Sequence, residues 1–411
     1  MRLAASYVPI LVARIGSGAS AFLVVKLASG GAVEAGFVLA AYPFLEALGA
    51  FVAGRWSDTL GRKTTLIMGY VVRSIAMLAL AWAFYTHEAP WLEAFLNGVI
   101  GFTTAFILTS SLAMATDLTE VRNRGLGMGG FEFINLGSYG VGYLLGSALY
   151  SVFQGPSAYL AVALFTTVAT PAFAKYIQET RPAAPGEGRL LLSVLPPSAV
   201  VLLPVWFALT TIIGLAMYSP RILRIEGGNL GVAGHIVQML GGHLAIGLLF
   251  ISALALLGLG AIFFGRLADR WGRLKTFRLG LIGGLLALVT LNVALRLSLG
   301  VVEAVAITAP LLFLTSAIGP SILAMIGDEA DIRYRGTVMG IYSVMLGLGI
   351  GFGSLLGGFV AAAFPQYEIN GLAAAALGVY ATMAALHLVV ANTSAGKRGL
   401  ALEKGVAPEK L

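Results

Sequence analysis

Four ionisable side chains stand in the middle of long apolar stretches of this 411-residue chain: Arg14, Glu46, Arg73 and Glu132. A charge without water around it is costly, so such residues default to functional roles. Their neighbours at helical spacing are polar too. Arg14 shares a face with Ser17 and Gly18, Glu46 with Tyr42 and Gly49, and Glu132 with Asn135 and Tyr139. Three kinds of chemistry fit. A buried carboxyl that loses its cationic partner can take up a proton and so couple another process to a proton gradient. Alternatively, Arg14 holds an anion and Glu46 neutralises it when the anion is absent. In the third reading the charges are static pairs that hold helices together. Other chemistries find no support. The chain has no cysteine, which rules out disulfides, thiolate nucleophiles and Cys-ligated metals. There is no Gly-x-x-x-x-Gly-Lys-Ser/Thr loop for ATP, and the Gly-rich runs 140–146 and 349–358 lie inside apolar stretches rather than after a strand. His235 and His243 are eight apart with no carboxylate near them in sequence, so neither a metal nor any other cofactor is expected.

The elements that carry these residues follow from composition. Apolar residues make up 58% of the chain and charged residues 11%, against about 25% charged in a soluble domain. Mean hydropathy is +0.90. The solvent must be largely lipid. A crossing helix needs about 20 mostly apolar residues. Twelve stretches meet this: 4–29, 33–54, 65–86, 91–116, 126–152, 157–178, 197–219, 236–264, 277–297, 302–326, 337–363 and 369–392. None has the two-residue alternation of a barrel strand. The N-terminal stretch carries no A-x-A-like cleavage site and reads as a retained first span. If the N-terminus is inside, inside segments carry twenty Lys and Arg and outside segments four, namely Lys26, Arg221, Arg224 and Arg296. That bias predicts both termini in the cytoplasm and residence in the cytoplasmic (inner) membrane. The same bias accounts for the net charge of +7 without nucleic acid.

The chain also repeats itself. GRWSDTLGRKTT at 54–65 and GRLADRWGRLKT at 265–276 are near-copies 211 residues apart. The same offset maps Asp117, Arg122, Arg124 and Gly125 onto Asp328, Arg333, Arg335 and Gly336, and Gly140, Gly142 and Gly146 onto Gly351, Gly353 and Gly357. One gapless register of this length indicates two six-span halves of common origin. The expected division is 1–178, a cytoplasmic linker at 179–196, 197–394, and a tail at 395–411. Each dodecamer falls in the link between the second and third span of its half. Each Asp-to-Arg-Gly segment falls between the fourth and fifth.

This pattern resembles the major facilitator superfamily, whose loop signature Gly-x-x-x-Asp-x-x-Gly-Arg-Lys/Arg fits from Gly54 to Lys63. The second copy fits from Gly265 to Arg273, with Leu274 in place of the last basic residue. The resemblance covers essentially the whole chain. It implies an all-α integral membrane protein of twelve transmembrane helices in two six-helix pseudo-symmetric halves, not an enzyme. A central site would be exposed to each face in turn. The signature residues Gly54, Asp58, Gly61, Arg62, Lys63, Gly265, Asp269, Gly272 and Arg273, with Asp117, Arg124, Asp328 and Arg335, would form a cytoplasmic gate. Asp58 would face the start of span 11, Gly54 would let spans 2 and 11 approach, and Arg62 would pair with Asp117 as Arg273 does with Asp328. The bland reading is that these charges only set topology and tether loops.

The resemblance also places spans 1, 4, 7 and 10 around the cavity, spans 2, 5, 8 and 11 beside them, and spans 3, 6, 9 and 12 at the periphery. Arg14, Glu46, Glu132 and Asn135 are then candidates for substrate binding or proton coupling, with Arg73 reaching inward to a carboxylate. Thr104, Ser111, Trp206, Thr210 and Thr315 are candidate cavity residues. Two departures count against a drug:proton antiporter: Asn97 stands where many antiporters have an Arg in span 4, and the Gly142–Ser147 stretch lacks the proline of the span 5 motif. The expected activity is proton-coupled export of a small organic compound by a monomer in the lipid bilayer. The alternatives are a symporter or uniporter for a sugar or organic anion, and a transporter-like sensor.

Overall fold

A computed structural model describes residues 2–29, 32–180, 196–218, 242–299, 301–364 and 368–393. Among them the chain is helical throughout. The helices are α1 (Arg2–Leu27), α2 (Ala32–Thr59), α3 (Arg62–Thr86), α4 (Pro90–Asp117), α5 (Arg124–Phe153), α6 (Pro156–Tyr176), α7 (Pro197–Tyr218), α8 (Gly242–Trp271), α9 (Arg273–Arg296), α10 (Val301–Thr315), α11 (Ile318–Glu329), α12 (Arg335–Ala363) and α13 (Glu368–Asn392). Most of the expected linker, the tail, His235, and Arg221 and Arg224 lie outside the described residues. So does the side chain of His243.

The repeat is visible in the helix boundaries. α3 and α5 begin at Arg62 and Arg124, and α9 and α12 begin at Arg273 and Arg335, each pair 211 residues apart. A 3-10 turn precedes α5 at Val121–Asn123, and another precedes α12 at Ile332–Tyr334. Two long seams join the halves: α2 packs along α12, and α5 along α8. These seams exchange places under the repeat, since α2 corresponds to α8 and α5 to α12. Among the described residues, eleven helical stretches are long and apolar enough to cross a membrane, with α10 and α11 counted as one. α5 is the exception. It has the length, at 30 residues, but Glu132, Asn135 and its many glycines lower its hydropathy.

Two expectations need correction. The dodecamers are not loops. Gly54–Thr59 continue α2 and Arg62 already begins α3, so the link is only Leu60–Gly61, and its counterpart is Gly272 alone. The 28 residues of α2 span about 42 Å, more than the roughly 30 Å of hydrocarbon, so its last turns stand in the polar zone. The stretch 302–326, read as one continuous span, is broken at Ser316–Ala317. Pro320 explains the break: it has no N–H for the carbonyl of Ser316, and its ring crowds that carbonyl. The Ser316 hydroxyl turns back to the Phe313 carbonyl, 2.5 Å away.

Candidate functional site

The sharp turns at the start of α3 and α9 need glycine. Gly61 has φ 108° and ψ 154°, and Gly272 has φ 95° and ψ 140°, a region essentially closed to other residues. The turns swing the charged residues of each dodecamer against the opposite half. Asp58 accepts hydrogen bonds from the backbone N–H groups of Gly336 (2.9 Å) and Thr337 (2.8 Å) and from the Thr337 hydroxyl (2.6 Å). It therefore sits on the N-terminus of α12, where unpaired N–H groups and the helix dipole favour an anion. Asp269 does the reciprocal job at the start of α5, accepting from the N–H groups of Gly125 (3.0 Å) and Leu126 (2.9 Å). Backbones touch at both crossings. A Cβ at position 54 would lie 2.9 Å from the Thr337 Cα, and one at 265 would lie 2.4 Å from the Gly125 carbonyl oxygen.

Arginines complete two neutral clusters. Arg62, fully buried, donates to Asp58 (2.6 Å), to the Ser57 carbonyl (2.7 Å) and to Asp117 (3.4 Å). Asp117 also meets Arg335 of the other half at 3.5 Å. In the twin cluster Arg273 pairs with Asp328 and lies 3.7 Å from Asp269. Arg124 crosses from α5 to Asp328 at 2.8 Å and to the Gly327 carbonyl at 2.9 Å. The Arg62–Asp117 and Arg273–Asp328 pairs expected within each half are present. The cross-half pairs Arg335–Asp117 and Arg124–Asp328 are not deducible from either half alone. Glu179 is a further participant that the sequence reading missed. Its carboxylate accepts from the N–H groups of Arg62 (2.9 Å) and Lys63 (3.1 Å), and the next residue, Thr180, donates to Asp117 at 3.3 Å. Only its place at the linker's edge could have drawn attention to it.

Halfway along the bundle lies a second, unrepeated cluster. Arg14 donates to Asn135 (2.7 Å) and to Glu46 (3.1 Å), all three buried. Asn135 donates in turn to the Tyr342 hydroxyl of α12 at 2.6 Å. Tyr342 and Glu132 line one cavity. Glu132 faces the bare backbone of Gly319 just past the break between α10 and α11, and no ion pair reaches it among the described residues. Arg73 does reach inward from α3, fully buried, but not to a carboxylate. Its partners are the Thr104 hydroxyl, the Ala13 carbonyl (3.1 Å) and Ser17 (3.1 Å).

Cavities flank this chain on both sides. One is lined by Arg14, Ser17, Tyr42, Glu46, Asn97 and Tyr139, among others. The other is lined by Glu132, Trp206, Thr210, Ser316, Gly319 and Tyr342, among others. Trp206 packs on the Tyr342 ring with centroids 5.3 Å apart. Thr210 and Thr315 are bonded mainly to helix carbonyls, at 3.0 Å to Trp206 and 2.9 Å to Leu311. The Ser111 hydroxyl is buried with no partner among the described residues. His387, on the outer helix α13, contacts the Val201 carbonyl at 2.7 Å and lies outside both cavities. Tyr342 and Gly319 are not singled out by the sequence, whereas Ser316 is a span 10 hydroxyl of the expected cavity. A tyrosine on an apolar span looks like packing until the opposite half is in view.

Two parallel six-helix units, twin charged clusters at one end and a buried polar site between them describe one fold. The family model of the Major Facilitator Superfamily matches residues 7–242 and 225–408. The chain belongs to the major facilitator superfamily. It is a transporter and not an enzyme. It is 24% identical over 338 residues to Multidrug resistance protein 2 of Bacillus subtilis (strain 168), covering 79% of each chain. Among solved structures it resembles the human organic anion transporter MFSD10 (TM-score 0.70, 14% identity, 94% of this chain and 98% of the other). It resembles the proton:xylose symporter XylE equally (TM-score 0.70, 13% identity, 95% of both chains). A bacterial homologue of the iron transporter ferroportin, in an outward-facing state, follows (TM-score 0.66, 15% identity, 96% of this chain and all 100% of the other). At these identities the solved structures speak to fold alone.

Proposed function

We propose that this superfamily member exports a small organic compound in exchange for protons, with Glu132 as the proton carrier. The observation that carries this reading is the contrast between the two central carboxyls. Glu46 is held by the Arg14 guanidinium, whereas Glu132 has no ion pair among the described residues and lines a cavity with Tyr342 against the Gly319 backbone. A buried carboxyl with no contacting cation is the one that can afford to cycle through its neutral acid. Export is favoured by the relative named as a multidrug resistance protein. The twin clusters act as the latch of the cytoplasmic face, an orientation supported by the Lys and Arg bias. The state described has that latch made. The protein works as a monomer in the cytoplasmic membrane, with the repeat's division near residues 179–196.

Reconstituted protein under an imposed pH gradient tests this. Glu132→Gln should abolish gradient-driven accumulation of a transported compound while leaving downhill exchange. Undiminished accumulation in that variant would overturn the proton-carrier assignment. A second reading rests on Arg14, whose guanidinium borders a cavity with Ser17 and Asn97 and suits a sugar or organic anion carried by symport or uniport. Thermal stabilisation by such ligands, lost in Arg14→Gln, would favour it.

A further inference from the structure

We infer that the Tyr342 hydroxyl is the contact through which the C-terminal half senses whether Glu132 carries a proton. The inference rests on the proton-carrier reading above and deepens it.

Tyr342 is buried on α12, with its ring held between Trp206 (5.3 Å) and Phe131 (5.8 Å). Its hydroxyl accepts from Asn135 at 2.6 Å, so its own hydrogen points elsewhere, and Glu132 lines the same cavity. When Glu132 is ionised, the hydroxyl donates to a carboxylate. Such charge-assisted bonds are roughly twice as strong as neutral ones. When Glu132 is protonated, the link between α5 and α12 is only a neutral bond. The other charged groups here are Arg14 of α1, which reaches this point through Asn135, and Glu46 of α2 behind it. The cavity walls from α7, α8 and α11 contribute Trp206, Thr210, Leu257, Ala261, Gly319 and Pro320, none of which titrates.

The placement gives the contact mechanical reach. Tyr342 lies five residues beyond Thr337, which Asp58 caps, so the two contacts are about 8 Å apart along one helix. Glu132 lies six residues beyond Leu126, which Asp269 caps, about 9 Å along α5. The two helices whose starts are latched by opposite halves are thus the two that Glu132 and Tyr342 join. The repeat places Phe131 opposite Tyr342 and gives Ser343 where the first half has Glu132. The hydroxyl is therefore an addition to a position where the sister half manages with phenylalanine, which makes Tyr342→Phe a mild substitution for the fold.

The experiment compares Tyr342→Phe with Glu132→Gln in proteoliposomes, reading proton-driven accumulation and downhill exchange of the same compound, together with thermal stability. Tyr342→Phe should lose at least tenfold in accumulation relative to its own downhill exchange, and flatten the dependence of exchange on pH. Full accumulation in Tyr342→Phe, while Glu132→Gln is uncoupled, would overturn this inference and leave the proton carrier standing. Loss of downhill exchange along with accumulation would also overturn it, showing a role in packing or binding. If Glu132→Gln itself remains coupled, the carrier reading fails first and this inference goes with it.

Discussion

The two charged clusters at one end of the bundle are built on the same Asp and Arg positions at the same spacing, and they differ in the groups around them. Asp58 and Asp269 each cap the first turn of a helix from the other half. At the second capped position the repeat has Thr337 on α12 and Leu126 on α5. Asp58 thus gains a third donor, at 2.6 Å, and its side chain is 0% exposed against 11% for Asp269. Arg62 holds Asp58 at 2.6 Å, whereas Arg273 stands 3.7 Å from Asp269. A duplicated scaffold has kept its geometry and let the strength of its two contacts diverge. The α2–α12 seam should be the stronger one and the α5–α8 seam the first to part.

The absence of native cysteine lets each seam carry a single reporter thiol, at Ser57→Cys or Ala268→Cys, equivalent buried positions beside the two aspartates. The largest effect is expected from Asp58→Ala, which strands two N–H groups, a hydroxyl and a buried arginine. Breaking such a buried pair costs about 3–5 kcal/mol, and labelling of the Ser57→Cys thiol should rise by two orders of magnitude or more. Asp269→Ala should raise labelling of the Ala268→Cys thiol distinctly less. Equal rises would erase the difference drawn between the seams. Thr337→Val sharpens the comparison by making one seam resemble the other. Losing a hydrogen bond to a charged group costs about 1.5–3 kcal/mol, a rise of roughly tenfold or more at the Ser57→Cys thiol. No change within twofold would show that the hydroxyl is not what separates the seams.

The smallest effect concerns the turns. Gly61→Ala and Gly272→Ala should each cost about 1–3 kcal/mol for their backbone angles. Only a Cβ at position 61 would meet Glu179, at 2.5 Å, while nothing lies within 4 Å at 272. Displacing that exposed carboxylate from the start of α3 should add at most about 1 kcal/mol. A thermal shift for Gly272→Ala as large as that for Gly61→Ala would remove Glu179 from the account.

Much of this was legible in the sequence because membranes punish error. The spans, the repeat and the buried Arg14, Glu46 and Glu132 follow from the cost of placing polar groups in lipid. Asp58 could be placed because its motif fixes the spacing. The reciprocal cap by Asp269 is also written in the repeat, because the 211-residue offset carries Asp58 and Gly336 onto Asp269 and Gly125. Arg73 departs from expectation because a buried cation suggests a carboxylate, whereas Thr104, Ser17 and a helix carbonyl accept its hydrogen bonds here. Tyr342 lay beyond reach. Its importance comes from partners some 210 positions away on the other half, and no periodicity of a single helix reports them.

The exchanged aspartate caps have the form of an isologous contact, in which patch i meets patch j and j meets i across a twofold axis. That is how two identical subunits bind each other. Each half leaves the start of its own fifth helix unsatisfied and carries the carboxylate that satisfies its sister's. The single chain therefore keeps the interface of a homodimer, and the covalent connection between its halves raises the local concentration of partners that already fit.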